Sequence, residues 1–253
     1  MGTLDGRIAL VTGAAGGIGE VYARHLAQCG AVVVLADLDG TAAKSRAATL
    51  VDAGYRASAL SVDISDPDQC DAAVAEVCAR EGRLDILVNN AAYYAAIRST
   101  LAEDIDTETW RRVVDVNING MFFMCRAAIG PMKRQRSGCI VNQTSGSVFG
   151  AFAGMLHYVT TKAAAIPMTK VLARELGPFG IRVNAIAPGM TDTPATREVA
   201  SQETMDRNVA VVALGRITEA KDLCGTLEYL CSDASAFVTG QTIAVNGGST
   251  MLP

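Results

Sequence analysis

Three residues in one stretch have the types and spacing that proton chemistry on an alcohol or ketone calls for. They are Ser145, Tyr158 and Lys162, in the run Thr144-Ser-Gly-Ser-Val-Phe-Gly-Ala-Phe-Ala-Gly-Met-Leu-His-Tyr158-Val-Thr-Thr-Lys162. Residues four apart on a helix share a face, and no other Tyr–Lys pair in the chain has this spacing. An ammonium beside a phenol favours the phenolate and draws its pKa down from about 10 toward neutrality. A tyrosine tuned that way can take or give a proton near pH 7. The Ser145 hydroxyl can reach the same reacting oxygen from the end of a strand. An exposed helix can also carry Tyr-x-x-x-Lys, so the weight of the trio depends on whether the chain builds a dinucleotide site in front of it.

The elements needed to build such a site are legible. Short apolar runs read as strands at Arg7–Thr12, Ala31–Ala36, Ala57–Val62, Asp85–Val88, Cys139–Gln143, Arg182–Ile186 and Thr242–Val245. Amphipathic stretches lie between them. Thr41–Ala53 reads as a helix, Pro67 opens another that runs to about Arg80 with Asp66 as cap, and a long one runs from Thr107 to before Ser137-Gly138. The helix that carries Tyr158 runs to Leu176 and stops at Gly177-Pro178, and a last helix spans Glu219–Cys231. Strands alternating with helices predict an α/β, doubly wound Rossmann fold: a seven-stranded, mainly parallel sheet with helices on both faces. Ligands bind such sheets at the C-terminal strand ends near the switch point. The whole chain, 1–253, reads as a single dinucleotide-binding catalytic domain, with 191–213 inserted after the sixth strand where a lid would lie.

Gly13, Gly17 and Gly19 follow the first strand and open a helix, with Ile18 between the last two. Glycines there allow a tight turn and bring backbone N–H groups close to a pyrophosphate at a helix N-terminus. The spacing is Gly-x-x-x-Gly-x-Gly, and an ordinary Gly-rich turn would read similarly. Asp37 ends the second strand, 24 residues after Gly13, with Leu38 next. A carboxylate there can accept both adenosine ribose hydroxyls and repels a 2′-phosphate, which favours NAD over NADP. Asp37 could equally cap the helix that begins near Gly40. Asp63 and Ile64 end the third strand. Asp63 could hold the adenine amino group with Ile64 against the ring, or Asp63 and Asp66 could only cap the next helix.

The ordered set Thr12-Gly-Ala-Ala-Gly-Gly-Ile-Gly19, Asp37, Asp63, Asn89-Asn90-Ala91, Asn117, Ser145, Tyr158/Lys162, Pro188-Gly189 with Thr193, and Thr239-Gly240 through Asn246-Gly-Gly248 resembles the short-chain dehydrogenase/reductase family, in its compact type of about 250 residues. The resemblance runs from residue 7 to about 248. It implies that Asn117 kinks the long helix and relays protons, with Asn119 as the competing candidate. It also implies that Lys162 holds the nicotinamide ribose, that Asn90 and Ala91 belong to the cofactor site, and that the segment from Pro188 and Gly189 through Thr191 to Thr193 contacts the nicotinamide carboxamide and phosphates. The loop 191–213 resembles the family's mobile substrate lid, and the family implies a homotetramer. The family's Asn-Asn-Ala-Gly reads Asn-Asn-Ala-Ala92 here, which places a methyl beside the nicotinamide or the substrate. Gln143 is polar where an apolar strand residue is usual.

The expected activity is NAD-dependent interconversion of a secondary alcohol and a ketone. Tyr158 would be the base or acid, Ser145 would stabilise the reacting oxygen, Lys162 would tune Tyr158, and Asn117 would complete a proton path. The substrate pocket is expected at Ala92, Tyr93, Tyr94, Ser147, Phe152, Met155 and Met190, with Gly146 and Val148. It holds no Arg or Lys to grip a carboxylate, so an uncharged, apolar or ring-bearing small molecule is expected. The alternatives are a 3-oxoacyl-thioester reductase of the same family and a non-catalytic nucleotide-binding regulator.

Composition excludes other classes. Half the residues are apolar and 19% are charged, which is no disordered chain, and a net charge of −4 gives no reason to expect a nucleic-acid partner. No run of about 20 apolar residues predicts a membrane span, and the N-terminus lacks a signal-peptide layout. Seven cysteines without a Cys-x-x-Cys predict buried free thiols in a reducing, cytoplasmic setting. Two histidines cannot form a His-based metal cluster, so no metal is expected, and His157 is expected to be structural.

Overall fold

The structure is a computed structural model that describes residues 2–150 and 152–251. In chain order its elements are β1 (Ile8–Thr12), α1 (Gly17–Gln28), β2 (Val32–Asp37), α2 (Gly40–Asp52), β3 (Ala57–Ser61), α3 (Pro67–Glu81) and β4 (Ile86–Asn89). Then come α4 (Thr107–Val114), a π-helical segment (Asp115–Gly120), α5 (Met121–Gln135), β5 (Gly138–Gln143), α6 (Leu156–Leu176) and β6 (Ile181–Pro188). The chain closes with β7 (Thr191–Asp192), α7 (Pro194–Val199), α8 (Gln202–Val211), β8 (Thr218–Glu219), α9 (Cys224–Cys231) and β9 (Thr242–Val245).

Seven strands form one parallel sheet in the order β3-β2-β1-β4-β5-β6-β9. The order reverses between β1 and β4, which is the switch point that the doubly wound reading requires. Period-2 alternation divides the strand residues between two apolar layers. Leu10, Val34, Leu87, Ile140 and Val183 pack on one face with Val74, Met124 and Leu172 from α3, α5 and α6. Ala9, Val11, Val33, Leu35, Ile86 and Val88 pack on the other with Tyr22 and Leu26 of α1 and Leu227 of α9. Strands β1, β2 and β4, buried on both sides, are apolar at nearly every position, which is why they read as apolar runs.

Local chemistry sets the helix boundaries. Asp66 caps α3 by accepting from the amides of Asp68 and Gln69, ahead of Pro67. Asp39, not Asp37, caps α2, accepting from Thr41 and Ala42. The last helix begins later than Glu219. Glu219 and Asp222 form a capping box around a 3-10 turn, and regular α-helix starts only at Cys224. The long helix from Thr107 is interrupted by the π segment, which carries Asn117. A small parallel pairing, β7 with β8, closes the base of segment 191–219 and has no sequence signal, since each strand is two residues long. All seven cysteines are free thiols, six of them buried and Cys78 partly so.

Candidate active site

The C-terminal ends of β1, β2, β4, β5 and β6 open into one cavity of about 830 Å³. Its lining includes, of the residues singled out in the sequence, Gly13, Gly17, Ile18, Asp37, Leu38, Asp63, Ile64, Asn90, Ala91, Ser145, Tyr158, Lys162, Pro188, Gly189, Thr191 and Thr193. The expected substrate residues Ala92, Tyr93, Tyr94, Ser147, Phe152, Met155 and Met190 lie on the same wall. Gly19, Val148 and Asn117 are not on it.

The glycine loop fits a dinucleotide. Gly13 and Gly17 have φ of +64° and +57°, in the left-handed region. A Cβ at Gly19 would come within 2.0 Å of the Gly13 carbonyl oxygen, so helix and loop touch only because that side chain is absent. The α1 N-terminus has no side-chain cap, because Gly16 occupies the N-cap. Its first amides are thus free to bind a phosphate. Asn90 Nδ2 donates to the carbonyls of Thr12 and Gly13 and fixes the loop from behind.

Asp37 stands at the C-terminal end of β2, on the cavity wall. Its carboxylate accepts from the amides of Ala15 and Asp39, at 2.9 and 3.0 Å, which orients it at the rim. Arg46 of α2 approaches the same loop, a placement with no sequence signal. Its Nε donates to the Ala15 carbonyl and lies 3.4 Å from Glu20, so an acid partner already stands beside it. Asp63 accepts from the Ser65 amide and hydroxyl and lies 3.8 Å from Arg112, leaving the capping of α3 to Asp66.

Where β5 and α6 meet the cavity, Lys162 is buried and its Nζ donates to the Gln143 carbonyl at 2.9 Å. Burial lowers its pKa to about 8. Tyr158 is raised well above the usual phenol value, first by burial and then by Tyr94, while the nearby Ser145 hydroxyl acts the other way. This differs from the direction expected of a phenol beside an ammonium. Desolvation dominates, and the Lys162 ammonium is not among the groups that lower the phenol. The Tyr94 ring sits 5.0 Å from the Tyr158 ring, tilted by 48°.

Asn117 lies one layer behind the wall. Its Oδ1 accepts from the Tyr93 amide at 2.7 Å, and its Nδ2 donates to the Tyr93 carbonyl and to Thr161 Oγ1. It therefore pins the loop that forms the pocket floor. Asn119 is half-buried and its side chain bonds to Asp115, away from the Tyr93 loop. His157 is buried, accepts the Tyr158 amide on Nδ1 and is not part of the wall.

Gln143 now has a physical account. Its Oε1 accepts from the fully buried Tyr22 hydroxyl of α1, and its Nε2 donates to Asn90 Oδ1. A polar strand residue is satisfied there by polar groups from two other elements. Asn208 of α8, Ser99 and Ser249 also line the cavity. They come from α8, from the loop after β4 and from the segment after β9, and long-range placement of this kind leaves no periodic signal. Away from the cavity, His25, Cys29 and Glu228 converge, with His25 Nε2 2.9 Å from Glu228 and 3.6 Å from Cys29 Sγ. Their local effect is to tie α1 to α9.

Comparison with known proteins matches this geometry. The family model described as Enoyl-(Acyl carrier protein) reductase matches residues 13–250. A cyclohexanol dehydrogenase of Rhodococcus sp. (strain TK6) is 39% identical, covering 98% of this chain and 97% of that one. A 3-ketoacyl-(acyl-carrier-protein) reductase from Brucella melitensis, solved with NADH, superimposes with a TM-score of 0.91 at 33% identity, over 98% of this chain and 100% of that one. A gluconate 5-dehydrogenase from Burkholderia cenocepacia J2315, solved with NADP and tartrate, gives 0.93 at 34%, over 99% and 97%. With a glycine loop at the switch point, a Ser-Tyr-Lys set across the cavity from it and relatives of this kind along nearly the whole length, the chain belongs to the short-chain dehydrogenase/reductase family of oxidoreductases, which bind nicotinamide dinucleotides.

Proposed function

We propose that this chain, as one catalytic domain, interconverts a secondary alcohol and a ketone with NAD. The observation that carries the reading is the joining in one cavity of Asp37 at the adenosine end with Ser145, Tyr158 and Lys162 at the other. When bound, the nicotinamide supplies the hydride acceptor or donor. The protein's part is positioning and proton handling. Tyr158 takes the alcohol proton in oxidation and returns it in reduction. Ser145 donates to the reacting oxygen and stabilises its charge. Lys162 holds the nicotinamide ribose, its Nζ steered by the Gln143 carbonyl. Asn117, through Tyr93, holds the pocket floor, and the proton path to solvent passes on its side of the site.

The substrate wall supports an uncharged compound. Tyr94, Phe152, Met155 and Met190 are apolar or aromatic, and Arg112, the basic side chain on the lining besides Lys162, stands beside Asp63 at the adenine end. Names of relatives support both alcohol dehydrogenases and acyl-carrier reductases. The second reading, a 3-oxoacyl-thioester reductase, rests on those relatives and gains nothing from the charge of the lining.

The deciding experiment is titration of the purified protein with NADH and NADPH by nicotinamide fluorescence, followed by turnover of secondary alcohols. Preference for NADH and oxidation of an uncharged alcohol is the expected result. Preference for NADPH with turnover only of 3-oxoacyl thioesters would move the assignment to the second reading. Asp37→Ala should weaken NADH binding about tenfold or more, since a charged hydrogen-bonding group is worth about 1.5–3 kcal/mol.

A further inference from the structure

We infer that Ser147 is a positioning residue that commits the Ser145 hydroxyl to donate its proton toward the reacting oxygen. The inference rests on the alcohol–ketone reading above and concerns the same site. Sequence spacing places Ser147 among the groups that touch substrate. In the structure its hydroxyl is turned to Ser145 instead. Ser147 Oγ donates to Ser145 Oγ at 2.9 Å, and the Ser147 amide donates to the same oxygen at 3.2 Å.

A serine hydroxyl has two acceptor lone pairs and one proton. Ser147 fills both lone pairs of Ser145, so what Ser145 has left to offer is its proton. Tyr158 lies on the same cavity wall as Ser145, and the Ser145 hydroxyl favours its charged form. A hydroxyl that accepts hydrogen bonds is polarised and becomes a better donor. Without Ser147, the Ser145 proton could rotate away or the oxygen could accept from the phenol, and the developing charge on the reacting oxygen would lose a directed donor.

The turn that presents the two serines is held from below. A Cβ at Gly146, between them, would come within 3.0 Å of the Pro188 carbonyl oxygen, so the backbone rests directly on the end of β6. The Ser145 and Ser147 side chains are therefore set by a fixed backbone.

The test compares wild type, Ser147→Ala, Ser147→Thr, Ser145→Ala and the double Ser145→Ala/Ser147→Ala variant. Ser147→Ala is expected to lower kcat about tenfold, the worth of one hydrogen bond made in the transition state. It should leave KM for the alcohol and Kd for the dinucleotide unchanged. Ser147→Thr, which keeps hydroxyl and amide, should recover most of kcat. The double variant should be no slower than Ser145→Ala alone, because Ser147 acts through Ser145. A loss in KM that varies from one alcohol to another would assign Ser147 to direct substrate contact and overturn the inference, as would losses that multiply in the double variant or an unchanged kcat. A second readout needs no turnover. Phenol absorbance, titrated with saturating nicotinamide dinucleotide and referenced to Tyr158→Phe, should move to higher pH in Ser147→Ala and return in Ser147→Thr. If wild type oxidises no alcohol yet this shift is seen, the alcohol–ketone reading fails and the role of Ser147 stands. If turnover is normal and no shift is seen, the role of Ser147 fails alone.

Discussion

Tyr158 and Lys162 are perturbed in opposite directions by the same cause, burial. For the phenol this predicts that oxidation rises with pH along a limb set by Tyr158, because the phenolate is the base. Ser145→Ala removes a hydroxyl that favours the phenolate, so the limb should move to higher pH as kcat falls. Tyr158→Phe should lower kcat by roughly 10²–10⁴ while NADH fluorescence still reports binding. The lysine supplies a stability test. Its folded pKa of about 8 lies below the 10.5 of an open chain, so between those values the unfolded state binds the additional proton. Stability contributed through this group therefore rises with pH across that window, and at neutral pH the buried ammonium is a net cost. Measured by denaturant unfolding, Lys162→Met should lose ground relative to wild type between pH 7 and 10.5, on the order of 3 kcal/mol in all. A constant difference across that range would contradict the burial argument.

Elements explain which parts of the site were legible. Strands buried on both faces announce themselves as apolar runs, and Tyr158 and Lys162 share a helix face by arithmetic. Asp66 was readable as a cap because proline follows it. Asp39, which caps α2, was overlooked in favour of Asp37, because both precede Gly40 and only the backbone path decides which carboxylate meets the Thr41 and Ala42 amides. Gln143 was opaque because its partners, Tyr22 and Asn90, lie 121 and 53 residues away. The direction of the Tyr158 perturbation was missed because spacing shows the ammonium but not the desolvation around it. At this scale the glycine loop gives the sharpest expectation. Gly19→Ala drives a methyl into the Gly13 carbonyl, so loop and helix must part. Dinucleotide binding should weaken at least tenfold by fluorescence titration, and stability should fall by about 1–3 kcal/mol.

For the whole molecule, the helices on one side leave apolar residues uncovered. Phe122 on α5 and Leu156 and Val171 on α6 are 43%, 47% and 54% exposed. Such residues suit a chain that associates, as the homotetramer implied by the family resemblance would. Sedimentation should give four chains, and Phe122→Asp together with Val171→Asp should give a smaller species. No helix among the described residues is long and apolar enough to cross a membrane. The pairing of Thr191 with Thr218 and Asp192 with Glu219 has its own consequence. It brings the two ends of the intervening segment together before any ligand arrives, so the chain entropy of closing that loop is already spent on folding. What lies between the paired ends, α7 and α8, is then a module with a fixed base. Residues 197–211 can then be exchanged as an antibody loop is exchanged on its framework, while Thr193 at the base and the Leu214 amide bonded to Gly247 stay in place, and on the proposed reading selectivity among alcohols should change with that graft.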